Sequence, residues 1–125
     1  MFQKVEIIQM AHALAAHAGA RQAVIARNVA HADTPGYRAA DLPGFAESWR
    51  AAGGLRTTRA GHLNGGATLT LAARPVAGQP APNGNSVSLE AEMMRAAEVR
   101  HQHDLALSIY RSASNVMRAS LGRGR

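Results

Sequence analysis

The sequence predicts a mainly α-helical protein in which a long N-terminal helix and a long C-terminal helix pair in a coiled-coil-like layer. Two stretches with helical spacing of apolar residues stand at the two ends of the 125-residue chain. Glycine and proline are concentrated between them, which favours a loop with little or no β structure. We expect one structural unit with three parts: a helix over residues 1–34, a turn and loop-rich connector over 35–87, and a helix over 88–125.

The N-terminal helix is predicted from apolar or small residues that recur every three or four positions between Ile7 and Ala32. Its many alanines have the highest intrinsic helix propensity. Pro35 disfavours helical geometry at Thr34, and Pro35-Gly36 fits the central pair of a type II turn, in which the glycine takes a positive φ. The predicted packing seam of this helix consists of Ile7, Leu14, Ile25 and Val29.

The connector contains two segments with weak structural signals. Alternation over residues 68–71 is compatible with one short strand or extended edge, and residues 45–49 with a brief helix. Neither segment has enough apolar surface to fold alone, so we expect a loop that neighbours order.

The C-terminal helix is predicted to begin at Ser88, which suits an N-cap, with Glu90 and Glu92 at the positive end of the helix dipole. A heptad rhythm follows, and Arg100 and His103 fill two of its steps. A helix of about 50 Å is longer than a small protein needs for internal packing. The predicted seam of this helix consists of Leu89, Met93, Leu107, Tyr110, Met117 and Leu121.

The composition indicates a chain that needs neighbours to complete its core. Hydrophobic residues make up 46% of the chain, but alanine dominates them, and alanine buries little area. Leu, Ile, Val and Phe together number 23 of 125 residues. That share is close to the range of chains that do not fold alone.

The net charge of +6 raises an alternative function, a basic amphipathic protein that binds nucleic acid or a membrane surface. Most of the arginines are spread along the chain, however, and aromatic residues suited to base stacking make up only 4% of it. We therefore favour a solvated basic surface and expect no nucleic-acid partner.

Catalytic and metal-binding chemistry is not indicated. The chain has no cysteine, and its six histidines include no pair at the i, i+4 spacing that would let two imidazoles of one helix chelate a metal. No strained nucleophile elbow or glycine-rich phosphate loop is recognisable. We expect no enzyme activity, no cofactor or metal, and no small-molecule substrate. Lys4 and Glu6 interrupt the first residues, so we also expect neither a cleaved signal peptide nor a membrane span.

Two segments carry a family resemblance. Residues 28–39, NVAHADTPGYRA, closely resemble the motif that ends the first helix of flagellar rod, hook and hook–filament junction proteins. Residues 83–93, NGNSVSLEAEM, resemble the entry to the C-terminal helix of the same proteins, with Asn85, Val87 and Ser88 as the entry residues. His31 stands where the family usually has Asn, and His103 where an aromatic residue is frequent. The resemblance is closest to the proximal rod proteins.

The resemblance implies a structural subunit of the flagellar basal-body rod, located in the periplasm and exported without a cleaved signal peptide by the flagellar export apparatus. It implies helical assembly with itself and with other rod proteins, contacts with basal-body ring and rod-base junction proteins, and transmission of motor torque. The turn after the first helix becomes an assembly corner, in which Asn28 and Asp33 are expected to hydrogen-bond turn amides and Tyr37 to anchor apolar packing. The corner residues are Asn28, Asp33, Thr34, Pro35, Gly36 and Tyr37.

Overall fold

Two long helices and three short elements make up the fold. The computed structural model describes residues 2–52, 69 and 71–122, with side chains from Val5 onward. The elements in chain order are α1 (Phe2–Ala30), β1 (Ala40–Asp41), α2 (Phe45–Ala52), β2 (Arg74–Pro75) and α3 (Leu89–Gly122). The predicted mainly helical class, with paired terminal helices and minimal β structure, is therefore confirmed.

α1 and α3 pack side by side as an antiparallel hairpin. At one level Arg21 approaches Glu98, and nearer the N-terminus of α1 the rings of His12 and Tyr110 meet edge to face with centroids 5.0 Å apart. At 29 and 34 residues, the helices are roughly 43 and 51 Å long. The hairpin therefore closes at the end where α1 stops and α3 starts.

Small side chains form most of the interface between the long helices. Ala11, Ala18 and Ala106 are nearly inaccessible to solvent, and Ala18 forms a cluster with Ile25 and Val99. Because the distance between two packed helices depends on the side chains at the contact, alanines let α1 and α3 approach closely. The hairpin interface consequently buries few of the chain's large aliphatic residues.

The connector folds back on one side of the hairpin. β1 pairs antiparallel with β2, and beyond this two-residue ladder the amide of Val76 donates to the carbonyl of Ala39 at 2.9 Å. The buried His17 ring of α1 donates through Nε2 to the carbonyl of Pro43 at 2.7 Å and meets the Phe45 ring edge to face. These contacts attach the start of α2 to α1.

The brief helix expected at residues 45–49 is confirmed and extends to Ala52 as α2. Of the extended edge expected at residues 68–71, Thr68 and Thr70 lie outside the described residues, whereas Leu69 and Leu71 belong to no strand. The observed strand, β2, comes three residues later. Within the described ranges, none of the helices has the length and apolar content that crossing a membrane requires.

An ionic cluster joins the connector to both long helices. Arg21 of α1 donates from Nε and Nη2 to the two carboxylate oxygens of Asp41 at 2.9 and 3.0 Å. Arg95 of α3 lies 3.8 Å from the same carboxylate and also pairs with the buried Glu92. Two-point contact between a guanidinium and a carboxylate is the strong, directional form of ion pair. Asp41 therefore fixes β1 against α1 and α3 together.

The cluster perturbs the pKa of Asp41. Burial alone would raise the pKa of this carboxyl, but the hydrogen bonds from Arg21 and the Leu42 amide, with the charges of Arg21 and Arg95, hold it below its usual value. The hydrogen bond to Asp41 in turn raises the pKa of Arg21. A carboxyl with a depressed folded-state pKa stabilises the fold above its unfolded pKa, and this contribution disappears as the pH falls through the folded value.

We predict that the free energy of unfolding decreases as the pH is lowered from about 4, the pKa of an unfolded aspartate. Asp41→Asn should cost about 2 kcal/mol at pH 7, because it removes a partly buried charged hydrogen bond, and should flatten this acid dependence. Chemical denaturation between pH 2 and 7 measures both effects. Glu47→Gln is the control, since the Glu47–Arg74 pair is exposed. An Asp41→Asn variant with the wild-type slope at low pH would contradict the assignment.

Candidate assembly site

The chain reverses after α1 through a tight turn at residues 34–37. The Tyr37 amide donates to the Thr34 carbonyl at 3.3 Å, and Gly36 has a φ of +75°. A positive φ at the third residue is what a type II turn requires, and glycine adopts it without steric cost. The turn predicted from Pro35-Gly36 is therefore present. α1 itself ends at Ala30, four residues before the predicted boundary.

Asn28 is completely buried and binds the chain that returns from the turn. Its Nδ2 donates to the Ala40 carbonyl at 2.7 Å, while its Oδ1 accepts from the Ala40 amide and the Tyr37 hydroxyl, both at 3.2 Å. The side-chain amide thus pairs with both backbone groups of Ala40, as a neighbouring strand would. Asn28 therefore holds β1 against α1, together with the Arg21–Asp41 pair.

Asn85 binds the turn that follows the C-terminus of α1. Its Nδ2 lies 2.9, 2.8 and 2.9 Å from the carbonyl oxygens of His31, Ala32 and Thr34. These residues follow Ala30, the last residue of α1, and form the turn that leads to Tyr37. Asn85 Oδ1 meanwhile accepts from the Val87 amide at 2.8 Å. One buried amide therefore joins the end of α1 to the entry of α3.

The two motif segments also meet backbone to backbone. The Gly36 amide donates to the Asn83 carbonyl at 3.0 Å, and a Cβ built on Gly84, whose φ is +81°, would lie 3.3 Å from Gly36 Cα. Beyond this contact the Ser86 amide donates to the Tyr37 carbonyl, and Ser86 Oγ accepts from the Ala39 amide at 2.8 Å. The PGY and NGNS segments therefore form one continuous corner.

The remaining predicted corner and entry residues divide between contact and solvent. Ser88 is the N-cap of α3 as predicted, with Oγ 3.4 Å from the Ala91 amide, and the preceding Val87 is half-buried. His31 stacks on Tyr37 with ring centroids 4.6 Å apart and bonds Thr34 Oγ1. Pro35 and Asp33 are exposed, and within the described part of the chain Asp33 makes none of the expected bonds to turn amides. The side chains that bond the backbone of the corner are instead those of Asn28 and Asn85.

The predicted seam residues differ widely in exposure. Ile25 is buried within the hairpin, and three others are partly covered: Leu14, Leu107 and Met117. The rest are exposed: Ile7, Val29, Leu89, Met93, Tyr110 and Leu121. The hairpin therefore leaves most of the large apolar side chains of the seam in contact with solvent.

In α3 the buried face lies one residue before the predicted one. Glu92, Val99 and Ala106 are the residues buried against the rest of the chain. Met93, Arg100 and Leu107 follow them directly, and one residue corresponds to a rotation of about 100° around a helix. The sequence prediction placed the seam on the flank of α3 because it followed the largest apolar side chains. The hairpin interface itself is made of smaller side chains.

This flank borders an open groove between α1 and α3 of about 630 Å³. The ionic and ring contacts of the connector are made by His17 and Arg21, which lie on the other flank of α1. We call this depression the open groove; its lining includes Ala18, Gly19, Gln22, Ala97, Arg100 and His103. Arg100 brings positive charge, and His103 a ring nitrogen, to a surface otherwise made mostly of small residues.

Sequence reasoning missed the residues that bind the connector to the hairpin. Arg21 and Asp41 are 20 positions apart and follow no periodic pattern, so nothing in the sequence pairs them. Glu92 was assigned to the helix dipole, whereas its side chain is buried beside Arg95. The i, i+3 spacing of Glu92 and Arg95 is the one signal that could have indicated an ion pair.

The fold and the corner define a class of protein built on paired terminal helices that are joined through a polar corner. The described part of the chain contains no metal-binding group of three or more acidic or histidine residues. No family model matches the chain. Known proteins do. It is 32% identical to "Flagellar basal body rod protein FlgB" of Agrobacterium fabrum, over 97% of this chain and 96% of that protein. It is 38% identical to a protein of the same name from Cereibacter sphaeroides, over 82% of this chain and 84% of that protein.

The chain belongs to the FlgB family of flagellar basal-body rod proteins, and it is a structural component of the rod. The family membership predicted from the resemblance of the two motif segments is thereby confirmed.

We predict that Gly84→Ala destabilises the fold by about 1–3 kcal/mol, because the new methyl group would enter the contact with Gly36 at a positive φ. Gly78→Ala is the matched control, since its Cβ meets nothing within 4 Å and its φ is not positive. Denaturant unfolding of both variants measures the difference. Equal stability of the two variants would show that the close approach of Gly36 and Gly84 does not support the corner.

Proposed function

We propose that this chain assembles helically with itself and with other rod proteins to form the proximal part of the rod, and that it transmits motor torque there. The observation that carries the proposal is the inversion of apolar side-chain size: small residues fill the hairpin interface, and large ones face outward. Met93, Met94 and Leu121 are each more than 70% exposed. Membership of the rod-protein family supports the same function.

Outward apolar residues favour association because covering them releases water. Burial of apolar surface contributes about 25 cal/mol per Å², so several Met and Leu side chains together supply a substantial driving force. Contiguous apolar surface of this kind marks interaction sites in soluble proteins. The exposed seam residues lie along both long helices, which gives a subunit contacts on more than one side.

Torque transmission needs a stiff link between the helices and the connector. The corner supplies several kinds of restraint: the amides of Asn28 and Asn85, the backbone contact of Gly36 with Gly84, and the Arg21–Asp41 pair. Buried, fully paired polar groups resist displacement because an unpaired one costs about 1–3 kcal/mol. A twist applied to the connector would therefore be passed to both helices.

The location proposed for the subunit is the periplasmic rod, reached through the flagellar export apparatus without a cleaved signal peptide. Its proposed neighbours are other rod proteins and the basal-body ring and rod-base junction proteins. An unfolded chain can pass a narrow channel, and the corner and the seam form after export. Export and assembly are therefore separable steps.

We predict that Met93→Asp combined with Leu121→Asp permits export but blocks rod formation. Both positions are exposed, so the charges should leave the subunit folded, whereas burial of unpaired carboxylates at a subunit contact would cost several kcal/mol. The experiment uses cells whose only copy of the chain is the variant. Cell fractionation measures export, and imaging of basal bodies measures rod formation.

Ala46→Asp is the control, because Ala46 is an exposed residue in the first turn of α2, where a carboxylate suits the helix dipole. It should form rods normally. Intact rods built from the Met93→Asp, Leu121→Asp chain would contradict the assignment of these residues to subunit contacts. Retention of that variant in the cytoplasm would contradict the separation of export from assembly.

A further inference from the structure

The open groove has a counterpart on the opposite flank of α3. Three residues spaced by 4 and 7 positions lie on one face of this helix, and we call them the outer ridge: Met94, Glu98 and Leu105. All three are substantially exposed, and Met94 is 75% exposed. The ridge is apolar apart from Glu98.

The groove and the ridge carry opposite charges. Arg100 places positive charge in the groove, and it has no ion-pair partner among the described residues. Glu98 provides the negative charge of the ridge; its contact with Arg21 spans 3.5 Å, and more than half of its side chain remains exposed. The carboxylate of Glu98 therefore keeps acceptor capacity beyond its contact with Arg21, on the flank of α3 opposite the Arg100 guanidinium.

We infer that the outer ridge of one copy of this chain seats in the open groove of the next copy, with Glu98 of one copy beside Arg100 and His103 of the other. The inference rests on the proposed rod function and names the surfaces that perform it. Met94 and Leu105 would fill the shallow space above Gly19 and Ala97, where small residues admit large ones.

Geometry makes this contact directional. Groove and ridge are different surfaces on different flanks of the same subunit, so the contact is heterologous and each bound copy presents a new free groove. Such contacts propagate into open helical arrays unless the rotation closes a ring. A pair of identical faces would instead stop at a dimer. Repetition of this one contact is therefore sufficient for a helical array of subunits to grow.

Cysteine cross-linking tests the contact directly, because the chain has no cysteine of its own. Ala97→Cys marks the groove and Leu105→Cys marks the ridge. These positions are eight residues apart on one helix, about 12 Å, and a disulfide needs Cα atoms within about 7 Å. Any disulfide between them must therefore join two copies. Ala97→Cys with Arg111→Cys, which replaces an exposed residue off the ridge, is the matched control.

The expected result in basal bodies isolated from cells that carry only the Ala97→Cys, Leu105→Cys chain is a ladder of disulfide-linked copies that reductant removes. The control pair should give at least tenfold less. Rods that contain the double-cysteine chain without the ladder would overturn this contact while leaving the rod function intact. Absence of the chain from the basal bodies of wild-type cells would overturn the rod function and the contact with it.

A charge exchange gives a second, independent readout. Arg100→Glu and Glu98→Arg should each reduce swimming and the yield of rods at least tenfold, and the double variant should restore both. Glu98 and Arg100 are two positions apart and point to different faces of α3, so repair cannot arise within one chain. Failure of the double variant to improve on the single ones would overturn the proposed pairing.

Discussion

The buried amide of Asn85 is the interaction on which the placement of the two long helices depends. Its Nδ2 lies within hydrogen-bond distance of three carbonyls of the turn that follows α1, and its oxygen accepts from the backbone at the entry of α3. The Nδ2 group carries two hydrogens, which these three acceptors share. Because Asn85 lies more than 50 positions from those carbonyls, it ties together segments that the chain itself separates. The side-chain amide of Asn28 acts in a similar way on β1, because it bonds both backbone groups of Ala40.

From this corner the two helices extend in one direction, and their packing follows from the size of the side chains between them. Alanines at the interface bring the helices close and leave the larger residues on the flanks. Such a hairpin buries little apolar area for its length, which matches the small number of large aliphatic residues in the chain. The subunit is thereby organised at one end by polar contacts and remains open to neighbours along its length.

Much of this fold could be predicted from the sequence, since it depends on local patterns. The long helices follow from periodicity, the turn from Pro35-Gly36, and the cap of α3 from Ser88. The seam of α3 was displaced by one residue, because periodicity identifies the most apolar face of a helix and cannot say whether that face meets its own chain or a neighbour. The ionic cluster could not be predicted at all, since Arg21 and Asp41 meet only through the folded corner.

The role of each corner residue shows the same division between local and distant causes. The positive φ of Gly36 could be predicted because the type of turn depends on neighbouring residues in the sequence. The contact of Gly36 with Gly84 was not, because two glycines 48 positions apart give no signal unless the two motifs are known to touch. Asp33, which was expected to accept from turn amides, is exposed, and the side chain that bonds the neighbouring Ala32 carbonyl comes from the distant Asn85.

The most direct test of the central role of the Asn85 amide is the free energy of unfolding of Asn85→Asp at pH 7. Aspartate keeps the size of the side chain and the acceptor for the Val87 amide, but it replaces the donor with a carboxylate oxygen that faces three carbonyls. The account predicts a loss of at least about 2 kcal/mol, together with faster hydrogen exchange at the Gly36 and Ser86 amides. Wild-type stability and wild-type protection of those two amides would contradict it.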